Sequence, residues 1–420
     1  MTLSAPIPAA ACGCDCPELV ARLMPVDEAL AAGLALAQPV DGREEVCLRA
    51  ARGRVLAQPV TARSDMPRFD NSGMDGYALR LADLPASAAL PVSGVCAAGD
   101  APAALPPGTM MRIYTGAPVP RGADTVVMQE HVERSGGMAR ITHRPGAGGN
   151  IRRRGEDQRR GDEVLAAERL LDARGLAICA GAGLGTVTVV RKPKVGLLLT
   201  GDEIRPAGQS LEGGEIWDVN TPMLTALCEE AGADIAAIRH VPDNPAELHA
   251  ALAGIADEMD MIVTSGGVSV GDRDHLKPVL TSLGARIAVS GVAMKPGKPV
   301  TISRLGGAVI VSLPGNPVSA FVTWHLLGRP ILGRLSGLAE AGTPRRLVRT
   351  RSRIVHKPGR CEYRPASIVG TDDAGHEVVS FGAQTHSARL SPLAQSDGVV
   401  LITGDTACVE AGGRLEFLPF

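Results

Sequence analysis

At 420 residues the chain exceeds what one hydrophobic core organises, so three or four domains are expected, some of them discontinuous in sequence. Its 45% hydrophobic and 21% charged residues are those of a globular protein, and a formal net charge of −2 excludes a global basic field for nucleic acid, so any anion site is local. Aromatic residues are only 2% of the chain, too few for the stacking platforms of single-strand binders, and no apolar run approaches the ~20 residues of a membrane span. With neither a basic n-region nor a long apolar stretch at its start, the chain carries no export signal, and a soluble cytoplasmic protein is expected. Its nine cysteines include no CxxC pair, and the odd count fits reduced thiols. Cys12, Cys14 and Cys16 lie in a short tail before the first helix, where a soft-metal or redox cluster is the alternative to plain disorder.

Pro25 opens a short amphipathic helix, and residues 46–60 read as β-rich. Pro67, Asn71, Gly73 and Gly76 make residues 64–76 a loop before a strand beginning at Tyr77. That loop holds Asp70 and Asp75, whose spacing fits Asx turns as readily as site carboxylates. Residues 90–130 show short strands with Pro/Gly turns and no helical period, so a small β domain is predicted. In the tight turn Thr115-Gly116-Ala117-Pro118 the threonine can donate to a ligand or cap the turn. Residues 146–162 have little to bury. Their Arg152, Arg153 and Arg154 make either a solvated face or, with Glu156 and Asp157, a wall for anions and metal. A helical period over residues 165–180 leads into Gly181, Gly183 and Gly185, which follow a helix rather than open one and so fit dinucleotide binding poorly.

From Lys194 the pattern alternates between strand and helix. A strand over residues 195–200 precedes a helix from Thr221 with Asn220 as N-cap, then a strand over 233–241 and a helix over 245–259 capped by Asp243 or Asn244. A strand over 261–264, a helix, a strand, the loop 295–299, strands around Val300 and Ile310, and a helix from Val318 complete the series. This alternation predicts a parallel sheet covered on both faces, with its ligand at the carboxyl edge of the strands. Loops at 200–203, 241–244, 265–274 and 313–317 all fall on that edge. Among them, Ser265, Gly266 and Gly267 let backbone amides approach an anion. Asp272 and Asp274 offer carboxylates for a divalent cation, and Lys295 and Lys298 add two ammonium groups. Such a set suits a phosphorylated substrate carried with magnesium. Beyond Gly342 a compact β domain is predicted from Pro344.

Seen together, FDNSGMDGYALR, RIYTGAPVPRGADTVVMQE, NIRRRGED, LLLTGDE, SGGVSVGDRD, VAMKPGKP and LPGNPVSA resemble, in the same order, the motifs of the molybdopterin molybdenumtransferase family, MoeA, which includes the gephyrin E domain. The resemblance spans roughly residues 20–420. It implies insertion of molybdenum into adenylylated molybdopterin, with molybdate as substrate, magnesium as cofactor and AMP released. The implied build is an α/β multidomain homodimer with a central doubly wound, MogA-like domain over residues 193–338. Around it would lie a discontinuous N-terminal dimerisation domain (17–60 and 147–192), a small β domain (61–146) and a C-terminal β domain (339–420). Implied catalytic residues are Asp75, Asp157, Glu203, Asp243, Asp274 and Lys295, with Glu203 and Asp274 near the metal. Implied substrate contacts are Thr115, Ser265, Gly266, Gly267, Ser269, Gly271, Lys298, Pro314, Gly315, Arg364 and Ser387. Implied partners are molybdopterin adenylyltransferase and molybdoenzyme maturation proteins, met transiently, with no nucleic acid or membrane. The chain departs from the family pattern at Gly73, which replaces an alanine, at Gly291, where some members carry a lysine, a contact Arg273 could supply, and in GAQTHSARLS around Ser387, which is one residue longer than the family's segment. Two other readings are an adenylyltransferase, suggested by the SGG-containing domain, and a dimerising scaffold. The DNSGMDGY and RRRGED motifs outside that domain argue against the first, and the lack of an attached adenylyltransferase domain argues against the second.

Overall fold

The computed structural model describes residues 23–267, 275–340, 342, 344–382 and 389–420. They fall into two compact units, one of residues 45–52 and 56–189, the other of residues up to 44, 53–55 and 190–420.

The smaller unit is built on a six-stranded sheet of β1 (Gly76–Leu79), β2 (Ala89–Cys96), β3 (Met110–Ile113), β4 (Thr125–Met128), β5 (Val132–Ser135) and β6 (Met138–Ile141), in the order β4-β1-β3-β2-β6-β5. Strand β1 is buried throughout, so successive side chains feed opposite cores: Tyr77 and Leu79 pack with Met110 and Val127, while Ala78 packs with Met111, Ile113 and Val126. A Cβ on Gly76 would lie 1.8 Å from the Val127 carbonyl oxygen, so only glycine lets β4 pair at this point. Elsewhere in the unit the predicted helix over 165–180 is shorter than its period suggests. Glu163–Leu165 is instead a strand antiparallel to Val60–Thr61, and the helix runs Ala173–Gly181, capped by the Asp172 carboxylate, which accepts from Gly175 N–H at 2.8 Å. Glu168 breaks the period with φ +61°, and its N–H is held by the Leu56 carbonyl. Residues 46–60 likewise carry less strand than expected: the end of Arg43–Cys47, a 3-10 turn at Leu48–Ala50, and the first residue of Val60–Thr61.

In the larger unit, the strands β7 (Lys194–Thr200), β8 (Asp234–Val241), β9 (Met261–Ser265), β10 (Arg286–Ser290), β11 (Thr301–Leu305) and β12 (Ala308–Leu313) form a second six-stranded sheet, in the order β8-β7-β9-β12-β11-β10. The first four in that order are parallel. Only β11 departs from the expected parallel sheet: it runs antiparallel to both neighbours, so β10 points the same way as the first four. Gly306-Gly307 explains this: Leu305 pairs with Ala308 across a two-residue turn with Gly306 at φ +56°, a hairpin rather than a crossover.

Apolar runs in the central strands are buried on both faces, as a doubly wound sheet demands. Val195, Leu197, Leu199, Met261, Val263, Val309 and Val311 pack under helices Val26–Leu36, Asn220–Glu230 and Pro317–Thr323. Leu198, Ile262 and Ile310 face helices Pro245–Ala253 and Leu276–Ser282. The former of these stops at Gly254, short of the predicted residue 259, although Ile255, Ala256 and Met259 remain buried. Asn244 caps it, accepting from the N–H groups of Ala246 and Glu247.

Beyond the sheet, β13 (Arg346–Thr350), β14 (Cys361–Thr371), β15 (Glu377–Ser380), β16 (Gly398–Ile402) and β17 (Arg414–Pro419) close a barrel through the pairings β14-β15-β13-β17-β16-β14. Val348, Ala366, Val379, Val400, Leu415 and Phe417 fill it. Met294–Lys295, expected as part of a loop, instead forms a short strand parallel to β14 at Cys361 and Glu362. The six cysteines among the described residues, Cys47, Cys96, Cys179, Cys228, Cys361 and Cys408, are free thiols, and burial pushes the Cys228 thiol up to about 12. Cys12, Cys14 and Cys16 lie outside the described residues.

Candidate active site

At the carboxyl ends of β7, β8, β9 and β12 lies a cavity of about 540 Å³, lined by Thr200 and Gly201, Asp243, Ser265 to Gly267, and Pro314 to Pro317. Its floor is backbone brought unusually close. Gly266 has φ +94°, and a Cβ there would sit 2.5 Å from the Thr200 carbonyl oxygen; Gly315 in turn would meet the Gly266 Cα at 3.5 Å. No side chain can stand between a ligand and the backbone at Gly266, the arrangement that lets amides reach an anion.

Asn220 holds this floor together. Its Nδ2 donates to Ser265 Oγ at 2.9 Å and to the Gly315 carbonyl at 2.7 Å, and Ser265 Oγ donates to the Pro314 carbonyl at 3.3 Å. A carbonyl only accepts, so the amide's orientation is fixed and its Oδ1 is the acceptor left over. That oxygen and Thr200 Oγ1 are buried with no hydrogen-bond partner among the described residues. Asn220 is therefore not the N-cap that its position suggests. The helix begins at Asn220 itself, and Asp218 Oδ1 takes the Thr221 N–H at 2.9 Å, freeing the asparagine to turn inward.

Glu203 reaches the cavity from the loop that follows β7. A two-stranded parallel pairing of Ile204–Arg205 with Ile216–Trp217 folds this loop back, and Ile216 N–H donates to the Glu203 carbonyl at 2.9 Å. Glu203, Asp243, Ser265, Gly266, Gly267, Pro314 and Gly315 thus share one cavity. Lys295 and Lys298 do not line it, although Pro299 does. Lys298 Nζ is buried and has no hydrogen-bond partner among the described residues. Arg364 is 5% exposed inside the barrel, its Nε 3.1 Å from Glu362 and its guanidinium 5.3 Å from the Phe381 ring centroid. Ser269, Gly271, Asp272, Arg273, Asp274 and Ser387 lie outside the described residues.

The smaller unit holds its own polar constellation. Asp75 Oδ1 accepts from both the N–H and the hydroxyl of Thr115, each at 2.8 Å. Those two bonds, the N–H first, hold the Asp75 carboxyl below its ordinary value. Asp70 takes Arg154 N–H at 2.9 Å and Arg153 Nη1 at 2.7 Å, so both aspartates bind distant partners instead of forming Asx turns. The arginine-rich loop is internally compensated: Arg152 pairs with Glu156 and Asp157, each at 2.6 Å, and Arg154 pairs with Asp65. Gly73 would accept the family's alanine, its nearest Cβ contact being Asn150 O at 3.5 Å. Gly291, at φ +94° with Leu23 2.9 Å from a Cβ, would not accept a lysine without strain.

Among the described residues no group of three or more His, Cys, Asp and Glu is arranged to hold a metal. Magnesium asks for less, since it keeps waters and takes one or two protein carboxylates plus substrate phosphates. Of the two carboxylates expected near the metal, Glu203 lines the cavity and Asp274 lies outside the described residues. Sequence reasoning missed Asp218 and Trp217 as cavity residues. The available signal was an aromatic residue in the polar, glycine-rich run EGGEIWDVN of an aromatic-poor chain.

An open α/β sheet with an amide-floored, carboxylate-edged cavity at its carboxyl edge, with a C-terminal barrel and a separate β-sheet unit, defines a multidomain α/β protein with a small-molecule-sized cavity. Three family models match: MoeA N-terminal region (domain I and II) at residues 24–183, probable molybdopterin binding domain at 196–334, and MoeA C-terminal region (domain IV) at 348–420. A molybdopterin molybdenumtransferase of Haemophilus influenzae is 35% identical over 380 residues, covering 90% of this chain and 94% of that one. Another from a Nostoc species is 37% identical over 374 residues, covering 86% of each. The crystal structure of the molybdopterin biosynthesis MoeA protein from Pyrococcus horikoshii is 26% identical with a TM-score of 0.80, covering 95% of this chain and all of that one (100%). The chain belongs to the molybdopterin molybdenumtransferase family, transferases of molybdenum cofactor biosynthesis.

Proposed function

We propose that this chain transfers molybdenum, supplied as molybdate, to adenylylated molybdopterin, with magnesium-assisted release of AMP. The observation that carries the reading is the convergence of Glu203, Asp243, Ser265, Gly266, Gly267, Pro314 and Gly315 on one cavity. Each group has a task set by its chemistry. Amides at Gly266 and Gly267 donate to phosphate oxygens of the pterin nucleotide. Lys295 and Lys298 offset the charge of diphosphate or molybdate. Asp243 orients a water that attacks the pterin-side phosphorus; the bridging P–O bond breaks with its electron pair on the AMP phosphate oxygen, and the water's proton is released to solvent. Glu203 and Asp274 would hold the magnesium, which would supply neutralisation of the phosphate charge. Asp75 and Asp157 are the further catalytic carboxylates, orienting substrate or water, and Thr115, Ser269, Gly271, Pro314, Gly315, Arg364 and Ser387 contact the substrate.

Family membership further supports a cytoplasmic homodimer that meets molybdopterin adenylyltransferase and molybdoenzyme maturation proteins transiently. The domain division at 17–60 with 147–192, 61–146, 193–338 and 339–420 is part of the same reading. Among the described residues no helix is long and apolar enough to cross a membrane. The test supplies purified protein with adenylylated molybdopterin, molybdate and magnesium, and follows AMP and reconstituted molybdoenzyme activity. Glu203→Gln and Asp274→Asn should each abolish magnesium-dependent AMP release while leaving the fold intact. Unchanged turnover in both would remove the metal role assigned to them.

A further inference from the structure

Trp217 stands apart from the rest of this aromatic-poor protein. Of the two tryptophans, Trp324 is fully buried, whereas Trp217 is 52% exposed and lines the cavity. Its indole is not loose: Nε1 donates to the Gln209 carbonyl at 2.9 Å. The backbone is fixed as well, through the pairing of Arg205 with Trp217 and the Asp218 N–H donated to the Arg205 carbonyl at 2.7 Å. A large ring held rigid at its polar edge yet left half in water gains nothing for folding by its exposed area. The same pairing places Glu203 beside Ile216, so the platform and the carboxylate proposed for the metal share one small structural element. Pro299, Pro314 and Leu390 supply further apolar surface to the cavity, and among the described residues no second aromatic lines it.

We propose that Trp217 is a positioning residue that stacks on the planar heteroaromatic ring of the substrate, a purine or pteridine, while the phosphate groups lie over the Gly266 floor. This rests on the reading of the cavity as the site of an adenylylated pterin. Base–aromatic stacking depends on a π-face rather than on a hydrogen-bond pattern, so phenylalanine should replace tryptophan and alanine should not.

Equilibrium dialysis of the full chain with AMP, with pterin-6-carboxylate and with ribose 5-phosphate tests this. Trp217→Ala should weaken binding of AMP or of the pterin by about tenfold, the scale of one stacked base. Trp217→Phe, which keeps a π-face but not the Nε1 bond to Gln209, should recover most of that loss, and ribose 5-phosphate, which has no aromatic ring, should not distinguish the three proteins. Loss confined to AMP assigns the platform to adenine, and loss confined to the pterin assigns it to the other half of the substrate. Ligand addition should also quench wild-type tryptophan emission, with the quench absent in Trp217→Phe. Wild-type-like binding of both ring ligands by Trp217→Ala would overturn the stack and leave the cavity's reading intact. Failure of the wild type to bind either would overturn both.

Discussion

Gly266→Ala isolates the cavity floor as a single contact. At Gly266 φ is +94°, and a Cβ would lie 2.5 Å from the Thr200 carbonyl oxygen and 2.7 Å from Thr200 Oγ1. A left-handed φ costs an L-residue about 1 kcal/mol. Pushing a strand carbonyl aside in a packed sheet costs about 2 kcal/mol more. Gly267 is the internal control: its φ is +64°, but its only close contact is Thr200 Oγ1 at 3.2 Å, a hydroxyl that can rotate away. Gly267→Ala should therefore cost only the conformational part, about 1 kcal/mol. The expected gap between the two variants is about 2 kcal/mol, roughly thirtyfold in the unfolding equilibrium. Urea unfolding in a Trp217→Phe background reads it directly, because the remaining tryptophan, Trp324, is fully buried in the core under the sheet. Equal midpoints for Gly266→Ala and Gly267→Ala would refute the close approach on which the cavity is built.

Two other perturbations address the charged contacts. Asp260 accepts from Arg191 Nη1 and Nη2 at 2.7 and 2.8 Å and from Lys194 N–H at 2.7 Å. Burial alone would raise its carboxyl, but the Arg191 and Lys194 bonds outweigh that and hold it below the ordinary value. Its stabilisation is therefore present above the unfolded carboxylate value and lost as pH falls through the depressed folded one. Asp260→Asn should cost about 2 kcal/mol at neutral pH and flatten the acid limb of a stability–pH profile; an unaltered profile would contradict this. In the smaller unit, Thr115→Val removes one of the two Thr115 bonds to Asp75, so the Asp75 carboxyl should titrate higher in a carboxylate NMR titration, and an unmoved curve would show that the hydroxyl contributes nothing.

What the sequence determined by itself was the succession of strands and helices from Lys194, because a strand buried on both faces needs an uninterrupted apolar run and a covering helix needs a 3.6-residue period. From that succession followed the expectation of a ligand at the carboxyl edge, where the loops at 200–203, 241–244 and 265–274 fall, while Glu203 and Asp243 themselves were singled out by the family motifs. Local chemistry was less decisive. Asn220 looks like a helix cap, but its amide bridges Ser265 and Gly315, residues 45 and 95 positions away, a bond no local pattern encodes. Asp70 and Asp75 look like turn residues, yet their partners are Arg153, Arg154 and Thr115. The arrest of the helix period at Glu168 was likewise decided by a bond to another segment, the Leu56 carbonyl. Periodicity survives in sequence because it repeats over many residues, whereas a single polar side chain has several satisfactory partners and only the folded chain determines which one comes within reach.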